Sequence, residues 1–68
     1  MDNQYKGMTV NERLYVSGLA DEYYKAVDEQ DVYKAVLILK KVELTEGNIR
    51  PIIEKDFKNI PSDLNKFI

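Results

Sequence analysis

Thr9 to Val27 reads TVNERLYVSGLADEYYKAV, and the way this stretch folds decides the architecture of the whole chain. Thr9-Val10-Asn11-Glu12 has the form of a capping box. In that motif the threonine hydroxyl satisfies one orphan amide of the first turn, while a glutamate three residues on reaches back to the cap amide. A helix is therefore expected over residues 10–29. Continued at about 100° per residue, it gathers Tyr15, Val16, Leu19, Ala20, Tyr23, Ala26 and Val27 into one arc wide enough to face a core. Val10, Leu14 and Tyr24 fall on the far side with Asp21 and Lys25. Gly18 sits between the two faces, where a missing side chain permits close approach of another backbone.

Working outward, the acidic turn Asp28-Glu29-Gln30-Asp31 ends the first period. Asp31 is placed to cap a second helix over residues 32–43. There Val32, Ala35, Val36, Ile38, Leu39 and Val42 form a broad stripe, with Tyr33, Leu37 and Leu44 in a smaller one behind it. A helix apolar on two sides is expected at the centre, and Lys40 and Lys41 suit its final turn because cations favour the negative end of the macrodipole. Pro51 is harmless only near a helix start. Asn48 as cap gives a third helix over 48–59, whereas a start at Thr45 leaves Pro51 inside it. In either register Ile49, Ile52, Ile53, Phe57 and Ile60 share a face. Ile60-Pro61 is expected to end the helix, and a last turn from Ser62 would carry Leu64, Phe67 and Ile68 back onto the bundle.

The expected fold is thus all-α, a small three-helix bundle with a short C-terminal helical turn. Residues 1–8 form a flexible N-terminal arm and residues 9–68 a single helical domain. At 68 residues a domain buries only about 60% of its unfolded surface, so the core must be simple. The chain has no cysteine and no histidine. It therefore lacks disulfides, thiolate metal sites and the side chain best suited to proton exchange near neutral pH. The N-terminus has no signal-peptide pattern, and the apolar run Val36–Leu39 is far too short to cross a bilayer. The expectation is a cytoplasmic protein with no membrane contact and no cofactor.

Nucleophilic catalysis would have to use Ser17 or Ser62, and neither has a base in a recognisable context. A domain of this size also offers little room for a water-excluding site, so no enzymatic activity is expected. Asp28, Glu29 and Asp31 do not fit the calcium-loop pattern, because its glycine and distal glutamate are missing. Lysines are scattered, which argues against nucleic-acid binding and against a DNA-binding regulator. The positive feature is a charge asymmetry. Residues 9–31 hold six carboxylates against two cations, a net charge of −4, although the whole chain carries only −2. Asp21, Glu22, Asp28, Glu29 and Asp31 run beside Tyr24 and Tyr33, and tyrosines with a charged rim are frequent interface anchors. Such a strip suits the basic cleft of a nuclease.

The segment VNERLYVSGLADEYYKAV, followed by Asp31-Val32 and then LKKVELTE, resembles a group of short bacterial helical proteins. Members begin with a VNERL(Y/F)xxGLxDEF-like helix and continue to a VELT or VELS segment. The resemblance covers about half of the chain and rests on Asn11, Glu12, Arg13, Leu14, Tyr15, Gly18, Leu19, Asp21 and Glu22, which it assigns to the fold. Tyr24 stands where an acid is common in the group, and the tail after Pro61 departs from it. Some members resemble immunity proteins encoded beside antibacterial toxins, including contact-dependent inhibition systems with ribonuclease tips. This implies a protein that binds and neutralises a cognate nuclease toxin and is a monomer or weak homodimer when free. The alternative is a homo-oligomeric or adaptor module using Leu14, Tyr24 and Leu37.

Overall fold

The structure, a computed structural model, describes residues 5–68, apart from the side chain of Phe67. It is all-α, with α1 at Val10–Ser17, α2 at Ala20–Asp28, α3 at Val32–Lys41, α4 at Glu46–Asp56 and a short α5 at Leu64–Phe67. α3 is central, packing against α2 on one side and α4 on the other, while α1 packs on α2. The core is apolar throughout, with Leu14, Val36, Leu39, Val42, Ile49 and Ile53 the largest fully buried side chains. No polar or charged residue is buried among the described residues.

The capping box forms as its residues dictate. The Thr9 amide donates to Glu12 Oε1 at 2.9 Å and the Glu12 amide donates to Thr9 Oγ1 at 3.2 Å. These bonds hold the Glu12 carboxyl below its ordinary pKa, the Thr9 backbone amide being the main cause and the Thr9 side chain the next. Asp31 likewise caps α3, accepting from the Lys34 amide at 3.2 Å.

The single first helix expected over residues 10–29 is two helices. Gly18 adopts a left-handed conformation with φ +78°. Its amide bonds the Tyr15 carbonyl and the Leu19 amide bonds the Leu14 carbonyl, the paired bonds of a Schellman cap. A Cβ placed on Gly18 would meet nothing within 4 Å, so the glycine serves backbone conformation and not close packing. Breaking the helix there resets its rotation. Leu14 is consequently 1% exposed, while Tyr15 and Val16, expected in the core, are 71% and 60% exposed. Beyond the break the expected stripe holds, with Ala20, Tyr23 and Ala26 buried and Leu19 and Val27 packed at its edge.

The same cap recurs twice without glycine. Gln30 at φ +56° ends α2, with the Asp31 amide bonded to the Ala26 carbonyl; Glu43 at φ +63° ends α3, with the Leu44 amide bonded to the Leu39 carbonyl. α3 therefore stops at Lys41, two residues earlier than expected, although Val42 is still fully buried. A side chain in the left-handed region costs roughly 1–2 kcal/mol. At both positions tertiary packing overrides the local preference.

α4 uses the earlier of the two registers. Thr45 is the cap, its carbonyl accepting from the Asn48 and Ile49 amides, and Asn48 instead donates its side-chain amide to Thr45 Oγ1 at 3.1 Å. Pro51 thus lies inside the helix, and the carbonyl deprived of its donor belongs to Gly47 in an exposed segment, open to solvent. The helix ends at Asp56, well before Pro61, because Phe57 turns extended and buries its ring. Ile60 is left exposed instead of joining the core face. Leu64 is buried and Ile68 packs against the core, as expected of a returning tail; the Phe67 side chain lies outside the described residues. The arm expected over residues 1–8 divides in two. Residues 1–4 lie outside the described residues, whereas Tyr5 is buried. Arg13 spans this region, its guanidinium carbon 5.9 Å from the Tyr5 ring centroid and its nitrogens donating to the Met8, Val42 and Glu43 carbonyls. One side chain of α1 thereby ties the N-terminal turn to the end of α3.

Candidate functional site

α2 begins directly after the Gly18 cap and commits only Ala20, Tyr23 and Ala26 to the buried core. Asp21, Glu22, Asp28 and Glu29 are all exposed. At about 3.6 residues per turn, Asp21, Lys25 and Asp28 line up on the side away from Tyr23, Glu22 and Glu29 lie on one flank, and Tyr24 lies on the other. The acids are therefore distributed around the outer half of the helix and do not form a single row. Asp21 and Glu22 in the first turn favour the macrodipole, but Asp28 closes the helix at the end where a carboxylate is disfavoured.

The remaining expected residues divide between two grooves. Tyr33, on α3, borders a groove of about 590 Å³ that also includes Gln30, Asp31, Lys58, Ile60 and Pro61. It is 49% exposed. Its hydroxyl donates to the Asp63 carboxylate at 3.2 Å, and desolvation first, then this bond, raises its pKa. Asp31 is half-buried in its capping role. Gln30 holds the groove together, donating to the Val27 carbonyl at 2.8 Å and accepting from the Lys58 amide at 3.3 Å. That tie fixes the loop after α4 against the end of α2.

Tyr24 borders the other groove, about 420 Å³, between the start of α1, α2 and the last turn of α4. It is 48% exposed and stands edge to face on Tyr23, with ring centroids 5.8 Å apart and planes at 68°. Its hydroxyl makes a long contact of 3.4 Å to Asn11 Oδ1. Tyr23 is buried, yet its hydroxyl donates to Asp56 Oδ2 at 2.6 Å, joining α2 to α4. Burial chiefly, then the bond to Asp56, moves the Tyr23 pKa far above its ordinary value.

Tyr24 and Tyr33 thus belong to different grooves, and the strip read from the sequence is two neighbouring surfaces joined by α2. Asn11, which the resemblance assigns to the fold, and Asp56, which does not stand out in the sequence, complete the Tyr24 groove. Asp56 is the last residue of α4, and its meaning emerges only once that helix is known to stop there. Leu14 is in the core, so a surface strip built on Leu14 with Tyr24 and Leu37 does not exist.

Among the described residues no group of three potential ligands is placed to hold a metal ion, and no helix is long and apolar enough to cross a membrane. Comparison with models of protein families, with curated proteins and with solved structures gives no significant match to this chain.

Proposed function

We propose that this protein is a non-catalytic immunity protein that neutralises a basic nuclease toxin by binding and occluding it in the cytoplasm. The observation that carries the reading is the division of labour in α2. Its buried side chains are two alanines and one tyrosine, while Asp21, Glu22, Asp28 and Glu29 stand in solvent around its outer half and the half-exposed ring of Tyr24 lies on the flank opposite Glu22 and Glu29. Complementary charge accelerates encounter with a cationic surface, and an aromatic ring supplies the desolvated contact that slows dissociation. The Thr9–Glu43 segment resembles a group of short bacterial helical proteins, some of which resemble immunity proteins, and that resemblance suggests the class of the partner. Mixing the purified protein with the toxin encoded beside its gene tests the reading. A complex and protection of nuclease-challenged cells are expected; absence of both overturns it.

A second reading, a homo-oligomeric module, draws on the exposure of Tyr15, Val16 and Leu37. Light scattering on the isolated protein separates the two, since a stable dimer lost on Leu37→Glu favours the module.

A further inference from the structure

The groove bordered by Tyr24 contains a carboxylate in an unfavourable position. Asp56 is half-buried and ends α4, where the helix dipole repels negative charge. Among the described residues its hydrogen-bond partner is the Tyr23 hydroxyl, a neutral donor that occupies Oδ2 and leaves the charge uncompensated. Lys55 also borders the groove, but adjacent residues of a helix do not face each other, and Lys55 is exposed. A partly desolvated carboxylate is stabilised by a cation that also donates hydrogen bonds. The wall next to it is the half-exposed Tyr24 ring, held edge to face by Tyr23. A carboxylate and an aromatic ring lining one groove match a planar guanidinium better than a compact ammonium, because the fork can pair with the acid while the plane packs on the ring.

We propose that this groove is the docking point for an arginine side chain of the protein partner, its guanidinium paired with Asp56 and laid against Tyr24. Asn11 Oδ1, already within reach of the Tyr24 hydroxyl, offers the arginine a further acceptor at the rim. The inference rests on the partner being a basic protein and names the contact through which it is gripped. It also gives the Tyr23 to Asp56 bond a role, which is to hold the carboxylate in place before the partner arrives.

The test uses the full chain, labelled with nitrogen-15 and titrated with N-acetyl-arginine methylamide and with its lysine counterpart. The expected result is a set of amide shifts confined to Asn11, Tyr24 and Asp56 and their neighbours, with arginine binding more tightly than lysine. Asp56→Asn keeps an acceptor for Tyr23 and should weaken arginine binding about tenfold, the scale of a charge-assisted hydrogen bond. Tyr24→Leu, at an exposed position that cannot unfold the core, should weaken it about threefold. Shifts spread evenly over Asp21, Glu22, Asp28 and Glu29, equal binding of arginine and lysine, no binding at all, or indifference to both variants would each overturn the proposal. Because this readout needs no toxin, its failure is distinct from failure of the immunity reading, which is judged by complex formation with the toxin and protection of challenged cells.

Discussion

α2 and α3 are neighbours of nearly equal length, at 9 and 10 residues, yet they use their side chains in opposite ways. α3 buries Val32, Ala35, Val36, Ile38 and Leu39 and places two of its three cations, Lys40 and Lys41, in the final turn, where the dipole favours them. α2 buries two alanines and a tyrosine whose hydroxyl must find a partner, and it ends on an acid. One helix is built for packing. The other gives up packing area and ends on an acid, and that difference is what the proposed interface on α2 rests on.

The largest expected contrast is in stability. Leu39→Ala removes a fully buried side chain from the centre of the bundle and should cost about 2–5 kcal/mol. Asp28→Lys should stabilise the fold by about 0.5 kcal/mol, because a cation replaces an acid at a helix C-terminus. Chemical denaturation of the two variants checks both. A destabilising Asp28→Lys would mean that the acid serves the fold after all, and the comparison would break.

Tyr23 is where the two styles meet. Tyr23→Phe should cost about 1–2 kcal/mol, because Asp56 loses its donor while half-buried. The pH dependence has a definite sign. The folded-state pKa lies above the unfolded value of 10.0, so this contribution is fully present below about pH 10 and is lost as pH rises beyond it. Thermal melts on either side of that pH should show wild type losing stability more steeply than Tyr23→Phe. Glu12 works in the other direction. Its folded-state pKa is lowered, so the contribution of the capping box is present above the ordinary carboxylate range and fades as pH falls through the lowered value.

Much of the fold was legible in the sequence because it depended on local chemistry. The capping box, the Asp31 cap, the terminal lysines of α3 and the Ala20 to Ala26 stripe each follow from neighbouring residues and appear in the structure. The errors share a cause. A helical period extended through a break places Tyr15, Val16 and Ile60 in the core, whereas one left-handed residue at Gly18 or one extended residue at Phe57 ends that period. The caps at Gln30 and Glu43 could not be seen, since neither residue favours φ > 0. Of the candidate site, the exposed acids and tyrosines were legible from composition and spacing. The split into two grooves was not, and neither was Asp56, because both depend on how α4 and its loop return to α2.

Modest effects lie at the three caps. Gly18→Ala should cost about 1 kcal/mol through backbone strain alone, as no atom lies near the new methyl group. Glu43→Gly should gain a similar amount. Gln30→Gly should gain less, because its side chain ties Val27 to the Lys58 loop. Equal gains at Gln30 and Glu43 would show that this tie contributes nothing.

The outer surface of α2 is the face proposed to receive the basic partner. That role is tested most directly by comparing wild type with the Asp21→Lys, Glu22→Lys, Asp28→Lys triple variant for binding to the toxin encoded beside the gene, both proteins first shown to melt cooperatively. The account predicts a wild-type complex that weakens with salt and a folded variant that fails to bind. Equal affinity of the two, at low and high salt, would contradict it.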